Sequence, residues 1–311
     1  MTPFRPGAYT AWRVLLAKGN AMRIAYLGPA GTFSEEAAIA WSASEPADLV
    51  PFASFPALVS AAETGLAERA ILPIENSLEG PVGQTVDLLI HETQLKIRGE
   101  LVLPVRHFLL VVPGSTLGDI RTVSSHPQAL GQCRRFLERC LPRVEQVAAL
   151  STSAAVESVM AAGDRAQAAI GTLRAGELYD ARVLARDIQD NHNNVTRFVV
   201  LAFDDAPPSG RDKTSLCFSV RANVPGALHD ILTELATADI QMTKVESRPM
   251  KSKLGDYFFL VDIEGHRAEP RIADALGRIA AKARELMVFG SYAACDLPAP
   301  AGGAGVETAA R

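Results

Sequence analysis

The stretch Asp190-Asn191-His192-Asn193-Asn194-Val195-Thr196-Arg197-Phe198-Val199-Val200-Leu201-Ala202 decides how the chain is organised. Its first half is dense in polar side chains; its second half is an apolar run rich in strand-forming residues. A polar cluster feeding straight into a buried strand sets its side chains at a strand mouth, where open α/β sheets hold their ligands. A break containing Pro207, Pro208, Ser209 and Gly210 follows almost at once, so the same stretch closes a domain. Taken alone, a β-branched Thr196 at a strand start reads as structural. The case for function comes from what surrounds it.

Upstream, a pattern of strand, capped helix and strand occurs twice. Residues 22–27 form a strand turned by Gly28-Pro29-Ala30-Gly31. Thr32-Phe33-Ser34-Glu35 fits a capping box opening a helix to about Ser42, and the helix start offers free N–H groups to an anion. Strands follow at 49–52 and 70–74, with a helix between them capped by Ser54. The second of these strands ends in the polar loop 75–83, where Asn76 offers donor and acceptor and Glu75 could be a base, a substrate orienter or a capping carboxylate. After a helix over 84–90, residues 96–112 read as two strands broken at Gly99 and Pro104, passing from one lobe to another. The pattern then restarts with a strand at 122–124 and a second capping box, Ser125-His126-Pro127-Gln128. The helix after it carries Leu130, Cys133, Leu137 and Cys140 on one face, which puts both cysteines in a core. Strands at 144–149 and 168–171 alternate with helices at 151–162 and 172–179, and residues 185–202 return to the first lobe. This predicts two α/β lobes joined by crossing strands, with four polar stretches facing the cleft: 28–34, 75–83, 125–132 and 191–198.

Composition narrows the function. The chain has 311 residues, 48% hydrophobic and 21% charged, which suits a two-domain globular protein. Its net charge of -4 gives no general attraction to nucleic acid or an anionic membrane, and no apolar run is long enough to span a bilayer. Cys133, Cys140, Cys217 and Cys295 form no C-x-x-C pair and read as free thiols in a reducing cytoplasm. There is no Gly-Lys-Ser/Thr loop and no G-x-G-x-x-G, and His91, His126, His192, His229 and His266 lack metal spacing, so neither a nucleotide nor a metal is expected. Residues 1–21 hold Arg5, Arg13 and Lys18, no acid, and an apolar core too short for a secretory signal. They read as a dispensable extension ahead of a natural start at Met22.

Beyond the break the pattern is clean. Leu216, Phe218 and Val220 alternate along a half-buried strand, and Pro225-Gly226 opens a helix with Leu228, Ile231, Leu232 and Leu235 on one face. Strands at 240–247 and 256–264, a helix at 270–284 and a strand at 286–292 complete a βαββαβ, ferredoxin-like order. Residues 297–311, rich in alanine, glycine and proline, read as a disordered tail.

Gly28-Pro29-Ala30-Gly31-Thr32-Phe33-Ser34-Glu35, Pro73-Ile74-Glu75-Asn76-Ser77, Ser125-His126-Pro127-Gln128-Ala129-Leu130-Gly131-Gln132-Cys133 and Thr196-Arg197-Phe198 resemble, in order, the motifs of the prephenate dehydratases. With Gly226-Ala227-Leu228 and Glu246-Ser247-Arg248-Pro249, which resemble the ACT domains of that family, they cover nearly all of 22–292. The resemblance implies a two-lobed, type II periplasmic-binding-protein-like catalytic domain over 22–203, its lobes being 22–98 plus 188–203 and 99–187. It implies a linker at 204–212, an ACT domain at 213–292 and a tail at 293–311. It also implies cofactor-free conversion of prephenate to phenylpyruvate, inhibition by L-phenylalanine bound where ACT domains pair, and a homodimer or homotetramer. By the same resemblance Thr196, Arg197, Phe198, Asn76, Glu75, Ser125 and Gln132 are catalytic, and Gly28, Pro29, Gly31, Thr32 and Ser77 bind substrate. Asn223, Gly226, Ala227, Leu228, Glu246, Ser247, Arg248 and Pro249 would hold phenylalanine. Thr196 is the candidate donor to the departing hydroxyl and Arg197 the candidate carboxylate clamp, or else the partner of a nearby acid. No long helical stretch precedes Met22, so no fused chorismate mutase is expected. Arogenate dehydration and non-catalytic amino-acid sensing remain the alternatives.

Overall fold

A computed structural model describes residues 21–250 and 256–296; the expectations for 1–20 and 297–311 lie outside the described residues. The first lobe is built on β1 (Met22–Leu27), β2 (Ala47–Phe52), β3 (Arg69–Asn76), the two-residue β4 (Gly80–Pro81) and β5 (Lys96–Pro104), with helices α1 (Phe33–Trp41), α2 (Phe55–Glu63) and α3 (Gly83–His91). The second holds β6 (Phe108–Val111), β7 (Thr122–Ser125), β8 (Glu145–Ala148), β9 (Gln167–Gly171) and β10 (Arg182–Ala185), with α4 (Pro127–Gln132), α5 (Arg134–Cys140), α6 (Thr152–Ala162) and α7 (Leu173–Leu178). The chain then returns as β11 (Val195–Ala202) between β3 and β5, giving the order β2-β1-β3-β11-β5, with β11 antiparallel to both neighbours. The second sheet runs β10-β6-β9-β7-β8.

The lobes therefore exchange chain twice, and the outward crossing falls at Val105–His107 rather than at Gly99. Gly99 does not break β5; it pairs with Val200 inside the sheet. The residue must be small because a Cβ there would lie 2.2 Å from the Trp41 ring, which packs against the strand at this point. Two other local expectations change. The loop after β3 is a tight hairpin, with Asn76 opposite Gly80 and Gly80 in the left-handed region. The single helix expected across Leu130 to Cys140 is two helices, parted at Cys133. Asp190 of the return segment holds the break: its N–H donates to Gln132 O at 2.7 Å and its carboxylate accepts from Arg135 N. The turn this introduces leaves Cys133 buried but Cys140 exposed, so only the first cysteine is core.

Residues 212–293 form the third sheet, in the order β13-β14-β12-β15, from β12 (Asp212–Val220), β13 (Met242–Pro249), β14 (Tyr257–Glu264) and β15 (Ala283–Ala293). Helices α8 (Ala227–Thr237) and α9 (Pro270–Lys282) cover one face, packing Ile231, Leu235, Ile272 and Ile279 on Leu216, Phe218 and Val261. The other face does not meet solvent. Cys217, Phe258, Leu260, Phe289 and Tyr292 join one core with Val199, Leu201 and Ile97 of the first lobe. The third sheet is thus bolted to β11 and β5 through buried apolar contact, which disfavours free swinging on a linker.

Gly290 marks how closely the two sheets approach: a Cβ there would sit 2.2 Å from Ile97 O, a backbone atom that cannot rotate away. Gly290→Ala is expected to destabilise the protein by about 1–3 kcal/mol or more by overpacking. Urea unfolding of the two proteins measures it, and an unchanged midpoint would contradict this packing.

Candidate active site

Asn76 and Thr196 are a directly opposed cross-strand pair on β3 and β11. Side chains alternate along a strand, so their sequence neighbours, Glu75 and Arg197, form the next opposed pair on the other face. One face leads through Asn194 and Gln132 to the cleft, and the other looks onto the third sheet. This divides the Thr196-Arg197-Phe198 motif by role.

On the cleft face, Asn76 is 8% exposed and fully engaged. Its Oδ1 accepts from the backbone N–H groups of Leu78 and Glu79, both at 3.0 Å. Its Nδ2 donates to Thr196 Oγ1 at 2.9 Å, to Asn194 Oδ1 at 2.9 Å and to Val195 O at 3.2 Å. Asn194, itself buried, passes the contact to the second lobe, donating from Nδ2 to Gln132 Oε1 at 3.3 Å. His107 Nε2 lies 3.0 Å from the same Gln132 oxygen. Ser77 Oγ accepts from Val195 N at 3.0 Å and holds the strand mouth closed. A cleft of about 340 Å³ opens beside this chain of amides, lined by Leu78, Glu79, Gln128, Gly131, Gln132, Gln189, Asp190, Asn191 and Asn194. Arg134, Arg135 and His192 border an adjoining hollow of about 650 Å³. Among the described residues no group of three or more His, Cys, Asp or Glu could hold a metal ion.

Arg197 points away from the cleft. Its Nη1 donates to Asp262 Oδ2 at 2.7 Å and to Glu100 Oε2 at 3.3 Å, and its Nε lies 3.6 Å from Glu75. The side chain is 13% exposed and cannot clamp a substrate carboxylate from there. Glu75 is likewise held by Arg197 and by Lys244 of β13, not aimed at a ligand. Phe198 is core, 2% exposed among Ile24, Tyr26 and Ile71.

Ser125 is also misplaced by the expectation. It is the last residue of β7, fully buried, and donates to Ile170 O at 2.6 Å, while His126 caps α4 by accepting from Gln128 N. The Gly28–Thr32 turn is used for lobe-to-lobe contact. Ser153 donates to Ala30 O, Thr172 Oγ1 donates to Gly31 O at 2.8 Å, and Gly31 fits only because it has no Cβ, which would meet Ser153 and Ala175. Thr32 accepts from Glu35 N at 3.3 Å, but Glu35 reaches Gly31 N rather than the Thr32 backbone, and Arg174 of α7 pairs with it. Gly28 N donates to Phe52 O, and Pro29 is exposed.

In the third sheet Gly226 caps α8 in the left-handed region, followed by Ala227 and Leu228, and Asn223 lines a small hollow with Met250 and Tyr257. Glu246 and Arg248 belong elsewhere: they face the first lobe, where Glu246 pairs with Lys244 and Arg248 donates to Asp87 at 2.7 Å and to Gly83 O. Ser247 and Pro249 lie on the opposite, exposed side of β13.

The sequence missed His107, Gln189 and Asn194 as site residues. Asn194 stood inside the polar cluster, but nothing in a run of asparagines tells which one turns inward. His107 is 2% exposed, and its backbone N–H donates to Gln189 Oε1 at 2.9 Å, so the two crossing segments hold each other.

Residues 24–206 match the family described as prephenate dehydratase, and residues 215–281 the ACT domain. The prephenate dehydratase of Amycolatopsis methanolica is 42% identical over 292 residues, 93% of this chain and 93% of that one. A prephenate dehydratase from Arthrobacter aurescens, solved in complex with L-Phe, is 33% identical with a TM-score of 0.80, over 88% of this chain and 90% of that one. GqqA, described as a novel type of quorum quenching acylase, is 34% identical with a TM-score of 0.79, over 88% and 98%.

The buried pair between Arg197 and Asp262 makes a pH-dependent prediction. Burial works to raise the Asp262 carboxyl, but Arg197, Ser215 and Lys213 overcome it and hold the group below the usual carboxylate range. A carboxyl depressed in the folded state stabilises the fold above its unfolded pKa, about 3.9, and that contribution is lost as pH falls through the folded value. Arg197→Met leaves the buried Asp262 without its paired cation and Glu100 with Lys213 alone, at an expected cost of about 3–5 kcal/mol at neutral pH. Its acid-unfolding midpoint should move up toward neutral while KM is unchanged. A variant with normal stability and a raised KM would return Arg197 to substrate binding.

Proposed function

The chain belongs to the prephenate dehydratase family and carries an ACT domain, and from that premise we propose that the cleft beside Thr196 converts prephenate to phenylpyruvate in L-phenylalanine biosynthesis. The observation that carries this is the Asn76–Thr196 pair. Asn76 Nδ2 can only donate, so Thr196 Oγ1 accepts, and the hydroxyl proton is left for a ligand.

The chemistry follows from that polarity. The bond between the ring and its carboxylate breaks and carbon dioxide leaves; the electron pair enters the ring as it becomes aromatic. The bond to the ring hydroxyl breaks at the opposite carbon, and the oxygen departs as water with a proton taken from Thr196. The donated Asn76 hydrogen bond stabilises the negative charge left on Thr196 Oγ1, which a solvent proton then restores. The drive to aromaticity needs no cofactor. With Arg197 turned away, positive charge for the two substrate carboxylates is available from Arg134 and Arg135 at the adjoining hollow. Acyl transfer of the GqqA kind is not favoured by this geometry, because a hydroxyl nucleophile needs a base beside it and Thr196 has a donor there.

Inhibition by L-phenylalanine is proposed at the Gly226 turn. Its left-handed backbone lets a ligand approach closely, and the start of the 11-residue α8 favours a carboxylate. The uncovered side of β13, where Val245 is 50% exposed, supports pairing of ACT domains in a homodimer or homotetramer. The free thiols fit a cytoplasmic enzyme.

Two measurements test these readings. Pure protein should form phenylpyruvate from prephenate, faster than from arogenate, and Thr196→Ala should lower kcat by about 10²–10⁴-fold, the usual worth of a positioned acid. Wild type that makes none would favour an amino-acid sensor. Gly226→Val should raise the phenylalanine needed for half inhibition by about tenfold or more, equivalent to ~1.4 kcal/mol, with kcat unchanged. Inhibition identical to wild type would remove Gly226 from the ligand site.

A further inference from the structure

The amides of the cleft are not free to point either way, and the chain that orients them ends on a buried histidine. Asn76 Oδ1 accepts from two backbone N–H groups, of Leu78 and Glu79, which fixes that amide without ambiguity. Its Nδ2 must then face Asn194, so Asn194 presents Oδ1 to it. Asn194 Nδ2 is thereby turned toward Gln132, whose oxygen receives it. Gln132 Oε1 meets a second nitrogen, His107 Nε2 at 3.0 Å. For that contact to attract, the His107 proton must be on Nε2; the other tautomer would set two lone pairs against each other and bury an N–H at Nδ1, which has no partner.

We propose that His107 is a positioning residue for this reaction: by donating from Nε2 it holds the Gln132 oxygen inward and aims the Gln132 amide hydrogens at the substrate. The inference rests on the prephenate reading of the cleft. His107 does not itself line the cleft; it stands behind Gln132 and Gln189, which do. It sits on the outward crossing between the lobes, packs edge-on against Phe33 with ring centroids 5.6 Å apart, and is held by Gln189 of the return crossing through its backbone. Burial lowers its pKa, so the ring stays neutral with a single N–H to give. Two neutral donors are then left for a ligand, the Gln132 amide from the second lobe and the Thr196 hydroxyl from the first, and the Asn194 bridge keeps them in phase. Because His107 and Phe33 pack between lobes, the donor is correctly aimed only when the lobes are in this relative position.

The test separates donation from shape. His107→Phe keeps the ring and its contact with Phe33 but removes the donor; His107→Gln restores a donor near the position of Nε2. Turnover of prephenate should fall about tenfold in kcat/KM for His107→Phe, the worth of one hydrogen bond, and return to near wild type in His107→Gln. Equal kcat/KM in His107→Phe and wild type, or a His107→Gln no better than His107→Phe, would overturn the proposal. Independently of activity, nitrogen NMR of histidine-labelled wild type should find His107 neutral with its proton on Nε2; a proton on Nδ1 would overturn it even if both variants were slow. Wild type inactive on prephenate would sink the activity reading alone, and the tautomer would still decide the role of His107.

Discussion

Two strands paired with a fixed register carry most of what this protein does. Thr196 faces Asn76, and Arg197 faces Glu75, on opposite sides of the same sheet. A shift of one residue would exchange the faces, sending the arginine into the cleft and the hydroxyl into a charged interface. The register is held from both sides: by β5, which pairs with β11 along its whole length, and by the Asn76 hairpin, whose amide spans three groups of the opposing strand. The core residues Phe198 and Val200 on one face and Val199 and Leu201 on the other leave no alternative that buries as much apolar surface.

That arrangement explains why a motif of three consecutive residues serves three purposes. Thr196 joins the Asn76 amide network, Phe198 is core, and Arg197 joins domains. The Arg197 network is costly to build. Glu100 and Asp262 are both nearly buried, and each needs a cation: Arg197 for both and Lys213 for Glu100. Asp262 accepts a further hydrogen bond from Ser215, which also contacts the Tyr292 hydroxyl. Such groups tolerate little displacement, because separating a buried pair exposes no water to replace it. A shift of the third sheet must therefore be taken up at β11 and β3, the two strands that hold the cleft pair. A ligand that binds one position of that sheet better than another is energetically coupled to the cleft through this contact, and the coupling acts equally in both directions.

Much of this was legible in the sequence, and the failures share a cause. Strand and helix positions followed from periodicity, from caps such as Ser54, and from the proline-glycine break. The two-lobe pattern set the stretches holding Asn76, Gln132 and Thr196 around one cleft, and the family resemblance singled out those residues within them. What could not be read was direction. Whether Arg197 meets a substrate or an acid depends on which face of β11 it occupies, and the alternation gives relative faces without saying which one is the cleft. Ser125 looked like a helix cap because Ser and Gln stand three apart, yet β7 runs one residue further and hands the cap to His126. The break at Cys133 comes from Asp190, far away in sequence, and no local pattern records it. His107 was invisible because a single histidine beside a proline-broken strand has no signature until Gln132 is seen against it.

The donors at the cleft are neutral, and that suits the reaction. A substrate with two carboxylates could be held tightly by buried arginines, but charge that binds the ground state and the transition state equally lowers KM without raising kcat. The event to be stabilised is a change: charge moves from the departing carboxylate through the ring to the leaving oxygen. An oriented hydroxyl and an oriented amide respond to charge appearing where they point, and they cost no reorganisation when it does. Orientation is then the quantity the fold must supply, and backbone N–H groups are the one source of it that cannot flip. The chain from Leu78 and Glu79 through Asn76 and Asn194 to Gln132 carries that fixed polarity across the cleft from one lobe to the other. The alignment of these donors therefore depends on the relative position of the lobes, which the Ser153, Thr172 and Arg174 contacts at the turn over residues 28–35 also hold.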